Sequence, residues 1–328
     1  VNVLDTYGVG DAISTHHPAL RGFYDQVIMD LTEENVRETA KKSDVIMIQV
    51  PSGDVAKWAE IVLAEDCAII DIGADIRFRD VDVWEKWYGQ KHPDAKMTHD
   101  AVYCIPEVMR DLAKGKKLIA NPGCYPTAST LGLQPMLKAG HIVDNTIVID
   151  AKSGYTGAGR RPALNKLLTE AENNFCAYAL GGGHRHTPEI EQNIAYITGK
   201  DLMKPETWQY INFQPHLLRQ VRGIEVTIYA TCHRDFTNEE VYELYKDFYK
   251  DEPFVKVFPA SLPVQTKWVY GTNFCEMTPT FDARTHRLIV SSVIDNIGKG
   301  AAGQAIQNMN LIMGLPETTG LMMPPMYP

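Results

Sequence analysis

The chain has 328 residues, 45% hydrophobic and 22% charged, with a formal net charge of −9. These proportions suit a soluble globular protein with room for two cored domains, and the acidic balance excludes a general nucleic-acid binder, which needs a basic face. No apolar run approaches the roughly 20 residues that cross a bilayer, no secretory leader opens the chain, and the six cysteines are scattered. The expectation is a cytoplasmic protein with reduced thiols, without membrane or nucleic-acid partners.

In chain order, residues 1–4 read as a strand, ending at Asp5, Thr6 and Tyr7 before Gly8 and Gly10. Residues 26–29 and 45–50 read as buried strands, with a helix over 31–42 that starts at Thr32, Glu33 and Glu34. Pro51, Ser52 and Gly53 form the loop after the second of these strands. A helix over 57–64 and strands over 67–72 and 118–120 follow. This βαβ rhythm predicts a parallel sheet covered by helices.

The run Asn121-Pro122-Gly123-Cys124-Tyr125-Pro126-Thr127-Ala128 then joins the last of those strands to an apolar helical pattern, Leu131, Leu133, Met136 and Leu137. That places Cys124 at a strand-to-helix corner, where unpaired N–H groups and the helix dipole favour an anion such as a thiolate. Pro126 suits a first helical turn, and Gly123 allows a tight backbone beside the sulfur. Most free cysteines are small buried hydrophobes, but this setting is that of a nucleophile.

The second half is richer in strands, over 146–150, 210–213, 224–231 and 288–294, with helices over 238–249 and 300–313. Ile224-Glu225-Val226-Thr227-Ile228 alternates, as a sheet with one wet face does. The fold class is therefore α/β: a Rossmann-like parallel-sheet domain over 1–124, and an α+β domain with a large mixed sheet over 125–297. The final helix, about 298–328, is expected to pack back on the first domain.

Three clusters here carry chemistry. Residues 150–161 run from a strand into a Gly-rich loop with Ser153, Gly154, Arg160 and Arg161. Converging N–H groups and guanidinium forks make such a loop an anion site, or a solvated flexible loop. In Gly181-Gly182-Gly183-His184-Arg185-His186-Thr187-Pro188-Glu189, Thr187 can cap a helix with Pro188 at its first position. The two histidines before it offer an acid/base of near-neutral pKa, or are polar loop residues, and no third ligand at zinc spacing accompanies them. Around Asp295-Asn296 a strand gives way to a small-residue helix, where Asn296 can reach a carboxamide or simply pack a tight junction.

Together these runs resemble the N-acetyl-γ-glutamyl-phosphate reductases of arginine biosynthesis. The resemblance rests on Asp71-Ile72-Gly73-Ala74-Asp75-Ile76-Arg77, residues 119–128, 150–160 and 182–192, Arg222-Gly223, Gly271-Thr272-Asn273-Phe274-Cys275 and residues 295–307. It covers nearly the whole chain. Aspartate-semialdehyde and glyceraldehyde-phosphate dehydrogenases share the fold and cysteine but not the His184–Gln192 run.

The resemblance implies reductive dephosphorylation of a small acyl phosphate through a Cys124 thioester, with NADP(H) as the hydride source. It implies a low-pKa thiol at Cys124 and an acid/base at His186, with His184 second. Glu189 orients a histidine or favours the helix start. Asn121, Ser153, Gly154, Arg160 and Arg77 are the expected substrate contacts. Pro51, Ser52, Gly53, Ser153, Gly154 and Asn296 are the expected cofactor contacts. No metal is expected, and by analogy the protein is a homodimer or homotetramer.

Two departures qualify this. Members of the family open with a strand and a G-x-x-G-x-x-G turn, which is not found here. The expectation is a fragment lacking roughly 30 residues of a first βα unit, the alternative being a truncated, non-catalytic paralogue. A reductase of another acyl phosphate, of the aspartyl phosphate type, is the further alternative. Asp5, at the end of the first strand read here, suits a ribose hydroxyl better than a 2′-phosphate, which leaves NAD(H) open.

Overall fold

A computed structural model describes residues 2–159 and 163–326. β1 (Leu4–Asp5) is followed by the short α1 (Ile13–His16) and pairs in parallel with β2 (Met29–Asp30). α2 (Glu33–Ala40) starts at Thr32, whose side chain accepts from the Asn35 N–H, so the cap expected from the sequence forms. β3 (Val45–Ile48), α3 (Val55–Ala64), β4 (Ala68–Asp71), α4 (Val81–Tyr88), α5 (Ala95–Asp100), β5 (Val102–Tyr103), α6 (Pro106–Ala113) and β6 (Leu118–Ala120) follow. β3, β4, β6 and β5 lie in that order in a wholly parallel sheet. β4 and β6 are buried throughout, as interior strands of a covered sheet are.

Two strand expectations need correction. Residues 26–28 do not join a sheet ladder, because their backbone bonds to the loop around α1: Ile13 N–H donates to Gln26 O, and Ile28 N–H to Asp11 O. Residues 45–50 shorten to β3, and Met47 is 37% exposed, because β3 lies at a sheet edge with β4 as its ladder partner.

The remaining elements are α7 (Cys124–Lys138), β7 (Val148–Ser153), α8 (Leu168–Ala171), β8 (Cys176–Ala177), α9 (His186–Ile197), β9 (Asn212–Leu217), β10 (Ile224–Thr231), α10 (Asn238–Phe248), β11 (Val255–Val257), β12 (Cys275–Asp282), β13 (Arg287–Ile294) and α11 (Gly303–Ile312). Their strands form a seven-stranded mixed sheet, β11-β12-β13-β10-β7-β9-β8, parallel only at β11–β12 and β7–β9. β10 alternates buried and half-buried residues along its length, as its sequence pattern requires. α7 is buried from Tyr125 to Leu137 because it packs between this sheet and α9.

β12 escaped the sequence reading. Pro279 argues against an interior strand. It is tolerated because the three-residue partner β11 stops opposite Met277, leaving that stretch of the β12 edge open. The last helix also differs from expectation. A π-helical turn, Gly298–Ala302, precedes α11, which packs against α6 but ends at Ile312; Gly314 then turns the chain at a φ of 67°.

Candidate active site

β6 ends at Ala120 and α7 begins at Cys124, with Gly123 as its N-cap and no side chain capping it. The first-turn N–H groups of Cys124 and Tyr125 therefore favour the thiolate. Cys124 is half-buried.

A buried carboxylate holds the corner. Glu189, 1% exposed, accepts the Gly123 N–H at 2.7 Å and the Tyr103 hydroxyl at 2.9 Å on Oε1. Its Oε2 accepts from Arg77 Nη1 at 3.1 Å. Arg77 also donates from Nη2 to Ile72 O, while its buried Nε has no hydrogen-bond partner among the described residues. Glu189 therefore holds the Gly123 backbone, the Tyr103 hydroxyl and the arginine, rather than a histidine.

His186 stacks directly behind this corner. A Cβ on residue 123 would stand 2.5 Å from His186 Nε2 and 3.0 Å from Arg77 Nη1, so only glycine lets the imidazole approach. The His184 and His186 rings lie 4.8 Å apart, and both meet the Tyr125 ring edge-on. His184 Nδ1 accepts the His186 backbone N–H at 3.1 Å. Helix α9 starts at His186, one residue before the expected cap, because Thr187 N–H closes onto His184 O and its hydroxyl donates to Gly182 O. On the other side, a Cβ on Gly300 would lie 2.8 Å from Cys124 Cβ.

Burial sets the protonation states here. It pushes the Cys124 thiol up to about 11, with the Tyr125 N–H and Arg77 offsetting only part of the penalty. The low-pKa thiol expected from the helix start is therefore not what the folded chain provides. Burial, then His184 and Arg77, hold His186 well below the usual imidazole range. His184 is lowered to about 4 by burial and by Arg185. At neutral pH the resting state is a neutral thiol beside neutral imidazoles.

The other expected contacts divide. Arg77, His186 and Glu189 gather at Gly123, the residue before Cys124, and His184 packs against His186 and Tyr125. Asn121 instead faces the C-terminal helix: it donates to Ala301 O and accepts from Asn308. Among its described residues, the loop after β7 does not present converging N–H groups. Gly154, Tyr155 and Thr156 donate to the carbonyls of Gly223, Gln220 and Val221, because Gly154 lies against that strand connection, its missing Cβ within 2.9 Å of Arg222 N. Ser153 is buried and its hydroxyl donates to Gly154 O. Asn296 accepts the Gly223 N–H at 2.7 Å and donates to the Thr156 hydroxyl. Gly53, after Pro51 and Ser52, donates its N–H to Asp75. Arg160 lies outside the described residues. Tyr103 belongs to the site but carried no sequence signal; Tyr125 and Gly300 lie within the runs 119–128 and 295–307, which gave them no individual role. Among the described residues no group of three acidic, His or Cys side chains could hold a metal.

The carboxyl ends of β3 and β4 are where an open parallel sheet takes a dinucleotide. Asp71 Oδ2 is buried there without a hydrogen-bond partner among the described residues. Beside β7, a Cβ on Gly157 would stand 2.6 Å from Ser153 Oγ and 3.8 Å from Asn296 Nδ2, so glycine there lets the Ser153 hydroxyl approach.

A parallel domain that delivers a helix-start cysteine to a mixed-sheet domain is the arrangement of the semialdehyde dehydrogenase class of oxidoreductase. Residues 3–116 match the semialdehyde dehydrogenase NAD binding domain, and residues 124–296 the semialdehyde dehydrogenase dimerisation domain. The solved structures of aspartate semialdehyde dehydrogenase from Francisella tularensis and of aspartate semialdehyde dehydrogenase II complexed with ASA from Vibrio cholerae share the fold. Their TM-scores are 0.64 and 0.68 at 13% and 15% identity, covering 94% and 95% of this chain and 90% and 89% of theirs. Among curated proteins, N-acetyl-gamma-glutamyl-phosphate reductase of Desulforudis audaxviator is 45% identical, over 98% of this chain and 89% of its own length. That of Symbiobacterium thermophilum is 43% identical, over 97% and 89%. The chain belongs to the N-acetyl-γ-glutamyl-phosphate reductase family of the semialdehyde dehydrogenases.

Proposed function

We propose that the protein reduces N-acetyl-γ-glutamyl phosphate to N-acetylglutamate 5-semialdehyde and phosphate, a step of arginine biosynthesis, through a thioester on Cys124. The observation that carries the residue roles is the packing of His186 and Arg77 against Gly123, one residue before the nucleophile.

Cys124 Sγ attacks the acyl carbon as its proton passes to His186. Departure of phosphate breaks the C–O bond, and His186 gives that proton to the leaving oxygen. Arg77 and the first-turn N–H groups of α7 stabilise the negative charge that develops on substrate oxygens. When bound, the nicotinamide cofactor supplies hydride to the thioester carbon. The carbonyl then reforms, the C–S bond breaks, and the sulfur takes a proton from water by way of His186. A neutral resting thiol fits this order, because the thiolate forms only when substrate reaches the imidazole side.

NADP(H) is the proposed cofactor, on family resemblance. Against it stands Asp5, whose Oδ1 already accepts the Thr6 and Tyr7 N–H groups and which would repel a 2′-phosphate. The half-exposed residues of β7 and β10 offer a large face for a homodimer or homotetramer.

The test is phosphate-dependent reduction of NADP⁺ by N-acetylglutamate semialdehyde, run in the reverse direction with the wild type and Cys124→Ala. Turnover is expected in the wild type and a loss of at least about 10³-fold in the mutant. Substantial turnover by Cys124→Ala would reject the thioester. The same assay with NAD⁺ settles the cofactor: a higher kcat/KM for NAD⁺ would reassign it.

A further inference from the structure

The π-helical turn Gly298–Ala302 joins β13 to α11, and its Gly300 faces Cys124. Lys299, inside this turn, is 0% exposed. Its Nζ donates to Glu107 Oε1 of α6 at 2.6 Å and to Gln307 Oε1 of α11 at 2.7 Å. Glu107 side-chain atoms are fully buried as well, and Gln307 Nε2 bridges to the same Glu107 oxygen at 3.0 Å. Gln307 also accepts from Asn273, just before β12. The ion pair thus ties the nucleotide-binding half, the mixed sheet and the C-terminal helix at one point.

A buried ion pair is costly to desolvate and is rarely the cheapest way to hold a fold together. A π-helical turn is likewise less favourable than a regular helix and tends to occur at functional sites. Both features converge on the segment that walls the nucleophile. Asn121 fixes the neighbouring Ala301 carbonyl at 3.1 Å, so residues 299–301 are clamped from α6, from Cys124 and from the end of β6.

We propose that Lys299, paired with Glu107, is a positioning residue: it locks the π-helical turn so that Gly300 closes against Cys124 and sets the orientation and accessibility of the nucleophile. This rests on Cys124 being the nucleophile. Neither charged group touches substrate, and each acts through Gly300.

The test is the double variant Lys299→Met/Glu107→Gln, which removes both charges at similar volume and leaves no unpaired buried ion. Three quantities are compared with wild type: the thermal midpoint, the rate and pH dependence of iodoacetamide labelling at Cys124 read by mass spectrometry, and kcat and KM. The expected result is a midpoint within a few degrees of wild type, labelling at least fivefold faster at neutral pH as the turn loosens, and kcat at least tenfold lower with KM little changed. Wild-type labelling and kcat in the folded double variant would overturn the proposal. If the double variant does not fold, Gln307→Met keeps the ion pair but removes its bridge. It is expected to shift labelling and kcat in the same directions by a smaller factor, and wild-type values in it would equally overturn the proposal. Labelling does not depend on turnover, so an active Cys124→Ala enzyme would sink the nucleophile assignment separately.

Discussion

At the scale of single residues, the site is governed by what burial does to charge. A thiol at a helix start gains from the dipole and the free N–H groups, by about a kcal/mol or two at most. Desolvation outweighs that here, so Cys124 rests protonated. In the proposed mechanism the proton leaves through a base in contact with the corner, and His186 is the group placed for it, since its Nε2 occupies the space a Cβ on Gly123 would need. His184 sits behind it, its Nδ1 spent on the His186 backbone. His186→Asn is therefore expected to lower kcat by about 10²- to 10⁴-fold, the usual worth of a general acid/base. His184→Asn should cost about tenfold or less. Steady-state kinetics on the two variants decide it, and the reverse order would move the proton-transfer role to His184.

At the scale of elements, α7 has two tasks. Its first turn presents Cys124, and its body is the buried spacer between α9 and the mixed sheet. Gly132 makes the close approach to β10 possible: a Cβ there would lie 2.6 Å from Ile228 Cδ1 and 3.5 Å from Ser292 Cβ. Gly132→Val should overpack this contact and cost about 1–3 kcal/mol, visible as a lower denaturant midpoint. Adding Ile228→Ala, which opens space at the same contact, should recover part of that loss. An unchanged midpoint in the single variant would mean that α7 does not bear on β10. The α7 body was readable as a helix from its apolar residues. That it is buried on every side was not, because the covering surfaces, β10, β13 and α9, come from far along the chain.

At the scale of the whole molecule, pH acts on stability through buried groups whose charged forms the fold disfavours. Burial raises Asp71 to about 7 from an ordinary 3.8, with Arg77 opposing the rise and the Asp75 carboxylate adding to it. Between those values the folded protein keeps a proton that the unfolded chain has released. Stability contributed by Asp71 is thus fully present in acid, declines as pH rises from about 4 to 7, and is flat above. A tenfold change in proton affinity corresponds to about 1.4 kcal/mol, so the decline amounts to about 4 kcal/mol at most. Asp71→Asn keeps an acceptor for the Gly73 N–H and carries no charge. Its thermal midpoint should therefore gain on wild type as pH rises from 4 to 7 and hold that lead at pH 8. A gap independent of pH would show that Asp71 titrates normally.

The sequence by itself determined the run α2, β3, α3, β4 and β6 in the parallel half, though not α1, α4, α5, β5 and α6, together with the alternating β10, the corner at Cys124 and the family. These depend on local propensity, on two periodicities and on motifs contiguous in the chain, all of which act over a few residues. Tertiary structure alone decided the rest. It spent the Gly154, Asn121 and Asn296 groups on internal hydrogen bonds and moved the start of α9 to His186. It also recruited Tyr103 and Gly300 to the site, made Glu189 the support of the Gly123 corner, and raised the thiol that its helix start favours as a thiolate. Each of these turns on which distant backbone or charge comes to lie within about 3 Å, and on how much water is removed when it does.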